Sequence, residues 1–317
     1  MTTPAPHDLS LPPYDLLVLL GATASGKTRL AVQLAEALDG EIVSADSRQV
    51  FRGMDLGSGK DLAEYGSTPY HLIDLVEPTE PFSLFDYVQR ARPVIADIRR
   101  RGRWPILCGG SGLYLSAIVQ GYQLTEAPPD TELRRQLDTL DLAQLRQHLR
   151  SLRPQLHNQT DLTERARLIR AIEIATAEQQ AETLPVEPPR ALVFGLRWPR
   201  PLLRQRIAQR LHQRLADGLI DEVARLQRQG VSWQTLEFYG LEYRFVARHL
   251  QGQLDFVELC QQLSQAIGQF AKRQETWFRR MERQGLVIHW LDGQADPFDQ
   301  LRQKLRSLDL ITTGPRP

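Results

Sequence analysis

The sequence has little of several things that would place it in large and familiar classes. Its 317 residues include two cysteines, Cys108 and Cys260. So far apart, they supply neither a disulfide framework nor the roughly four clustered Cys/His ligands of a structural zinc site, and they point to a reducing compartment. No apolar run approaches the ~20 residues of a membrane span, and the opening MTTPAPHDLSLPP lacks the charged region and apolar stretch of a secretory signal, so the expectation is a cytoplasmic protein with no membrane partner. Lysine is scarce: only Lys27, Lys60, Lys272 and Lys304 appear among 39 basic residues. Arginine supplies the rest; it suits bidentate phosphate and carboxylate recognition, although genomic base composition produces the same bias. Excess charge is missing too, since 38 acidic residues leave a net +1, which at first argues against a polyanionic partner. Counting by segment changes that. Residues 1–133 hold 11 basic and 17 acidic residues, residues 134–283 hold 24 and 17, and residues 284–317 hold 4 of each. The neutrality is a cancellation.

Short apolar runs alternate with longer amphipathic stretches: LLVLL after Asp15, IVS after Glu41, HLIDL after Tyr70, PILCGG after Trp104, ALVFGLRW after Arg190 and LVIHWL after Gly285. Strands spaced by helical segments predict a parallel α/β sheet with helices on both faces. Between the fourth and fifth strands, residues 123–189 read as helices only, at 131–140, 141–151 and 161–180, the last opening on Asp161 and Glu164 at capping-box spacing. The expectation is a discontinuous core, 13–122 and 190–310, carrying an inserted all-helical subdomain. Further helices are expected over 199–229, 241–250 and 255–284, the last with an apolar stripe of Leu259, Leu263, Ile267, Phe270, Trp277 and Met281.

The strongest motif is Gly21-Ala22-Thr23-Ala24-Ser25-Gly26-Lys27-Thr28, which fits GxxxxGK[ST] between a strand and an amphipathic helix. Glycines let the backbone curl so that successive N–H groups and a helix N-terminus face an anion; Lys27 adds a point charge, and the Thr28 hydroxyl can ligate Mg²⁺. The motif indicates a P-loop NTPase-like site for a polyphosphate without saying which. Asp46, at the end of the second strand, should project towards that loop, as Mg²⁺ ligand, helix cap or general base. Ser111, in the turn after the fourth strand, is either a hydroxyl donor to a ligand or a helix N-cap. Arg206, Arg210 and Arg214 form a column at i, i+4, i+8, opposite Leu203, Ile207, Leu211 and Leu215. Like charges at that spacing disfavour the helix by a few tenths of a kcal/mol per pair, roughly, and an anionic partner would explain them. The run Lys272 to Arg280 mixes basic and aromatic residues, either a nucleic-acid contact or core aromatics with snorkelling arginines.

In order along the chain, GATASGKT, ADSRQVFRGMDLGSGK, PYHLIDLVEP, GGSGLY, ARLIRAIEI, the RIAQR helix and FAKRQETWFR together resemble the tRNA dimethylallyltransferase (tRNA isopentenyltransferase) family of bacterial type. The resemblance implies transfer of a dimethylallyl group from dimethylallyl diphosphate to N6 of the adenine 3′-adjacent to the anticodon. It makes Asp46 the proton acceptor, with Ser111 and Arg210 also at the reacting centre. Residues 21–28 and Arg210 would hold the diphosphate with Mg²⁺ at Thr28. Contacts to tRNA would come from Asp46, Ser47, Arg48, Gln49, Ser111 and Arg134; from Ala166, Arg167, Leu168, Ile169 and Arg170; from Tyr239, Gly240, Leu241, Glu242, Tyr243 and Arg244; and from Lys272, Arg273, Gln274, Glu275, Thr276, Trp277, Phe278 and Arg279. The helical insert would grip the anticodon stem-loop of a tRNA bound to a monomer. Departures from the family pattern are Ala22 for proline, Phe51 for tyrosine, Gly57-Ser58-Gly59-Lys60-Asp61 for a more common GTAKP, and Gly240-Leu241-Glu242-Tyr243-Arg244 at the Gly-Tyr loop. The competing readings are a P-loop kinase that turns over ATP without RNA, a prenyltransferase of free adenine nucleotides, and a non-enzymatic RNA-binding protein.

Overall fold

The computed structural model describes residues 13–153, 164–180 and 186–311. The chain divides into two compact units, one of residues 1–120 with 188–317 and one of residues 121–187.

In the first unit six strands form one wholly parallel sheet: β1 (Leu16–Gly21), β2 (Gly40–Ala45), β3 (Tyr70–His71), β4 (Trp104–Gly109), β5 (Ala191–Arg197) and β6 (Ile288–Asp292), in the order β3-β2-β4-β1-β5-β6. β1, flanked by β4 and β5, is buried along its whole length, and only a run such as LLVLLG suits a strand covered on both faces. Helix α1 (Lys27–Leu38) packs Leu30, Leu34 and Leu38 with Leu17, Leu19, Ile42 and Phe194. On the other face lie α2 (Leu84–Arg100), opened by a Ser83/Asp86 capping box, and α3 (Gly112–Val119). Tyr87 of α2 stacks on Tyr114 of α3 at 3.9 Å and donates to Ser44 O at 3.0 Å. The expected third strand is reduced to its first two residues; Leu72 and Asp74 take left-handed φ of 65° and 56°, which ends the pleat.

The second unit holds α4 (Thr131–Asp138), α5 (Leu142–Leu152) and α6 (Arg165–Gln180) around Leu137, Leu145, Leu149, Leu168 and Ile172. Asp130 caps α4, and Asp141 with Gln144 forms a capping box on α5. The box expected at Asp161 and Glu164 cannot be placed, because Asp161 lies outside the described residues.

After β5 the first unit continues with α7 (Arg200–Ala216), α8 (Leu219–Arg228), α9 (Trp233–Phe238), α10 (Leu241–Leu250) and α11 (Phe256–Arg283), and after β6 it closes with α12 (Pro297–Ser307). The single helix expected over 199–229 is two. Gly218 adopts φ +100° at the break, a conformation that a side chain would strain, and the chain turns there so that Leu219, Val223 and Leu226 join the core of Leu203, Ile207 and Leu211. The α11 stripe is also corrected: Ala271, Gln274 and Phe278 are buried, whereas Phe270 is 38% exposed. Positions 270 and 277 each fall one residue short of a buried position, and one residue turns a helix by about 100°. Among the described residues no helix is long and apolar enough to cross a membrane.

Glu41, at the start of β2, is buried against two arginines and a histidine: both oxygens accept from Arg101, Arg103 Nη1 lies 2.9 Å away and His71 Nε2 2.7 Å. Arg101 first, then His71 and Arg103, hold its carboxyl down from 4.5 to about 2. A carboxyl depressed on folding contributes stability that is complete above its unfolded pKa and lost as pH falls through its folded one. Wild type should therefore exceed Glu41→Gln in melting temperature near pH 6, with the gap closing between about pH 4.5 and 2; a gap independent of pH in thermal melts would contradict this.

Candidate active site

Ligands of open parallel sheets bind beyond the carboxyl ends of the strands. Here those ends deliver the loop that follows β1, Asp46 after β2 and Ser111 after β4 to one cleft of about 580 Å³, whose cationic wall is α7. All its lining residues belong to the first unit.

The loop between β1 and α1 is held from outside at three points. Thr23 N donates to Gln274 Oε1 at 2.9 Å; Arg206 Nε donates to Ala24 O at 2.9 Å; Trp198 Nε1 donates to Ser25 O at 2.9 Å. The Arg206 guanidinium rests 4.2 Å from the Trp198 ring centroid, an attractive cation–π geometry. Ala24 and Gly26 both take left-handed φ, 60° and 91°, so the loop curls into the N-terminus of α1, where Lys27 and Thr28 face the cleft. Burial is the largest influence on the Lys27 ammonium and lowers its pKa. Ser25 Oγ is buried without a hydrogen-bond partner, an uncompensated hydroxyl inside the anion loop.

Across from the loop, Asp46 begins a turn and caps no helix: residues 47–50 are turn, and Oδ1 accepts from Arg48 N at 3.0 Å. Ser111 occupies the N-cap position of α3 but makes no side-chain cap; its Oγ instead accepts from Ser47 N at 3.0 Å, while Ser111 N donates to Ala45 O at 3.2 Å. The β2 and β4 turns are thus tied to each other, and Ser111 fixes the segment that carries Asp46. Cys108 is beside the site but unreactive, since burial pushes its thiol up to about 12.

The arginine column lines this cleft: Arg206 on the loop, Arg210 paired with Asp61, and Arg214 nearly buried beyond it. Of the other expected site residues, Ser47, Arg48, Gln49, Tyr239, Gly240, Leu241, Glu242 and Gln274 also line the cleft. Gln49, Tyr239, Tyr243, Gln274 and Phe278 are buried in the first unit, and Leu168 and Ile169 in the second. Several of their polar side chains are bound within the protein: Gln49 accepts from Ser44 Oγ at 2.7 Å and donates to Gly59 O at 3.0 Å, and Tyr239 OH donates to Pro78 O. Gln274 bridges Thr23 N and Gly110 O, the latter at 2.9 Å. Exposed members of the same segments are Ala166, Arg167, Lys272, Arg273, Thr276 and Arg279. Arg134 and Arg170 both bind the buried Glu173, at 2.7 and 3.0 Å. Glu275 and Trp277 are half-buried, Trp277 donating to Ser116 Oγ at 2.9 Å; Arg244 donates to Glu237 O at 3.0 Å.

Sequence reasoning passed over Glu222. Its carboxylate accepts from Asp55 N, Leu56 N and Gly57 N at 3.0, 2.7 and 3.1 Å and from Tyr243 OH at 2.8 Å, bracing the loop that carries Asp61. A signal was available: Glu222 falls on the apolar face of α8, between Leu219 and Val223.

A GxxxxGK[ST] loop, a wall of arginines and the Asp46 carboxylate at the same strand ends define a P-loop-like α/β protein with the groups that a phosphorylated ligand calls for. The IPP transferase family model matches residues 49–281, and an isopentenyl transferase model matches residues 14–68. A tRNA dimethylallyltransferase 2 of Syntrophotalea carbinolica is 58% identical over 289 residues, 90% of this chain and 97% of the relative; a tRNA dimethylallyltransferase 1 of Geotalea uraniireducens is 54% identical over 292 residues, 92% and 97%. The crystal structure of the tRNA isopentenylpyrophosphate transferase of Bacillus halodurans is similar at a TM-score of 0.66 and 32% identity, over 93% of this chain and 97% of that one. The chain belongs to the IPP transferase family of tRNA dimethylallyltransferases.

The two Gln274 hydrogen bonds separate a brace from an RNA contact. Gln274→Leu should lower stability by about 1–3 kcal/mol in urea unfolding, through two backbone groups left unpaired, and leave the salt dependence of tRNA binding unchanged. A changed salt slope with unchanged stability would return Gln274 to the RNA surface.

Proposed function

We propose that this chain transfers the dimethylallyl group of dimethylallyl diphosphate to N6 of the adenine 3′-adjacent to the anticodon of tRNA, releasing diphosphate. The observation that carries the reading is the placement of Asp46 in the same cleft as the phosphate loop, Lys27 and Arg210, within a chain of this family. The competing kinase has no support from the relatives, which are named tRNA dimethylallyltransferases.

The chemistry follows from that layout. N6 attacks the allylic carbon as the carbon–oxygen bond breaks; the electron pair leaves with the diphosphate, and the N6 proton passes to an Asp46 oxygen. Allylic carbon tolerates developing positive charge, so the protein's tasks are to orient the amine, stabilise the departing negative charge and exclude water. Loop amides, Lys27 and Arg210 answer the charge; the Ser47–Ser111 bond holds the Asp46 turn in place. The adenine must leave its stack to reach this depth. Thr28 offers one hard oxygen ligand at the cleft, and among the described residues no cluster of three His, Cys, Asp or Glu could hold a metal. That donor set fits Mg²⁺, which keeps several waters and binds mainly through substrate phosphates, adding charge neutralisation to the leaving group. Exposed Lys272, Arg273, Thr276 and Arg279, with Ala166 and Arg167 of the helical insert, are the side chains we assign to the tRNA backbone, in a cytoplasmic monomer.

Two measurements test this. Asp46→Asn keeps an oxygen for Arg48 N but no base, so labelled dimethylallyl transfer should fall by roughly 10²–10⁴-fold while tRNA affinity stays within about twofold; undiminished turnover would remove Asp46 as the base. Arg279→Ala should weaken tRNA binding and lower the slope of log K against log salt by about 1. An unaltered slope would leave Arg279 as the partner of Glu275 alone, 3.5 Å away.

A further inference from the structure

Asp61 and Arg214 lie on the cleft wall, outside the groups assigned to diphosphate or base. Arg210 Nη2 binds Asp61 Oδ2; one helical turn on, Arg214 Nη2 forms a longer ion pair with Asp61 Oδ1 at 3.6 Å, too long for a hydrogen bond. The Arg214 side chain is only 9% exposed, yet its Nε and Nη2 have no hydrogen-bond partner. Buried donors are nearly always paired, and each exception calls for a reason. Packing is not that reason, because the site is built to admit this guanidinium: Gly59, at φ +70°, is so close that a Cβ there would sit 2.1 Å from Arg214 Nη2. Glu242 faces Arg214 as a second, more distant anion, and Arg210 faces it as a like charge.

We propose that Asp61 and Arg214 form an exchange pair that sets how tightly Arg210 holds the diphosphate. Resting on the reading that this cleft takes a diphosphate, the exchange runs as follows. The diphosphate draws Arg210 off Asp61, and Arg214 closes its longer ion pair into a hydrogen bond with the freed carboxylate. Without Arg214, Asp61 would be an uncompensated anion beside the diphosphate, opposing its binding. After transfer, Asp61 recaptures Arg210 and helps the product leave. Arg214 is therefore a positioning residue that acts through Asp61, and Asp61 acts through Arg210.

The test is the affinity of the full chain for inorganic pyrophosphate with Mg²⁺, by calorimetry, in wild type, Asp61→Asn, Arg214→Met and the double variant. Asp61→Asn should tighten binding several-fold. Arg214→Met should weaken it by about tenfold in the wild-type background and by less than about twofold in the Asp61→Asn background, a coupling that contacting charged residues can show and independent sites do not. Arg214→Lys, which keeps the charge and loses the fork, should show the same background dependence and serves if the methionine variant fails to fold. An equal loss in both backgrounds, or none in either, overturns the exchange. Wild type that binds no pyrophosphate would sink the diphosphate reading itself, and this inference with it; binding with additive losses sinks the exchange alone.

Discussion

Lys27, Arg206, Arg210 and Arg214 are brought to one end of the sheet, and their mutual repulsion is the constraint that the surrounding structure answers. Like charges one helical turn apart disfavour an exposed helix by a few tenths of a kcal/mol per pair, roughly, and by more where the guanidinium is removed from water. The fold answers with specific partners: Arg206 gives its Nε to a loop carbonyl and its face to Trp198, and Arg210 lies on Asp61. Arg214 is withdrawn to the edge of the core, where burial lowers its pKa first and the Arg210 charge second. A substrate carrying several negative charges relieves the same repulsion, so the strain of assembling the site is returned as affinity for a diphosphate.

That requirement explains why so much of the neighbouring structure is bracing. Loops that approach a ligand closely cannot carry bulky side chains, so their positions are set from outside. Gln274 reaches from α11 to tie the phosphate loop to the β4 turn, and Glu222 reaches from α8 to gather three backbone N–H groups of the loop before Lys60. Lys60 itself is fully buried, its Nζ bound to Asp55 Oδ1 and Phe51 O, both at 2.7 Å. Two buried ionic side chains therefore fix the loop that ends in Asp61, the carboxylate that holds Arg210.

The sheet was legible because its signals are local: an apolar run fully buried between two neighbours reads the same in sequence and structure, as Leu16–Gly21 does. The Lys27 loop was legible because its chemistry is written in adjacent residues. What failed depended on information from elsewhere in the chain. The break at Gly218 and the loss of the third strand at Leu72 are backbone conformations stabilised by tertiary packing. Gln274 sits in a run whose neighbours Lys272 and Arg273 are exposed, and its bracing bonds, to partners 251 and 164 residues away, have no local signal. Glu222 and Asp61 were missed for the same reason: a lone carboxylate acquires its role from backbone amides and an arginine that only the fold brings near.

The placement of the Asp46 carboxylate opposite the cationic loop and α7 also suits the order of bond changes in the proposed reaction. An exocyclic amine is a weak nucleophile and a weaker acid, but as its nitrogen bonds to the allylic carbon it takes on positive charge and its proton becomes easy to remove. The base is needed late, after the leaving group has begun to depart, so it need not compete with the diphosphate for the same cations. In the proposed reaction the two demands would be met from different strands: the anion loop from β1 and the Asp46 turn from β2, with β4 between them tying the Asp46 turn through Ser111 and joined to the anion loop through Gln274. Gln274 and Ser111 thus join the anion loop, the β4 turn and the Asp46 turn in one hydrogen-bonded series, so the elements that the proposed reaction needs are held in register by two side chains.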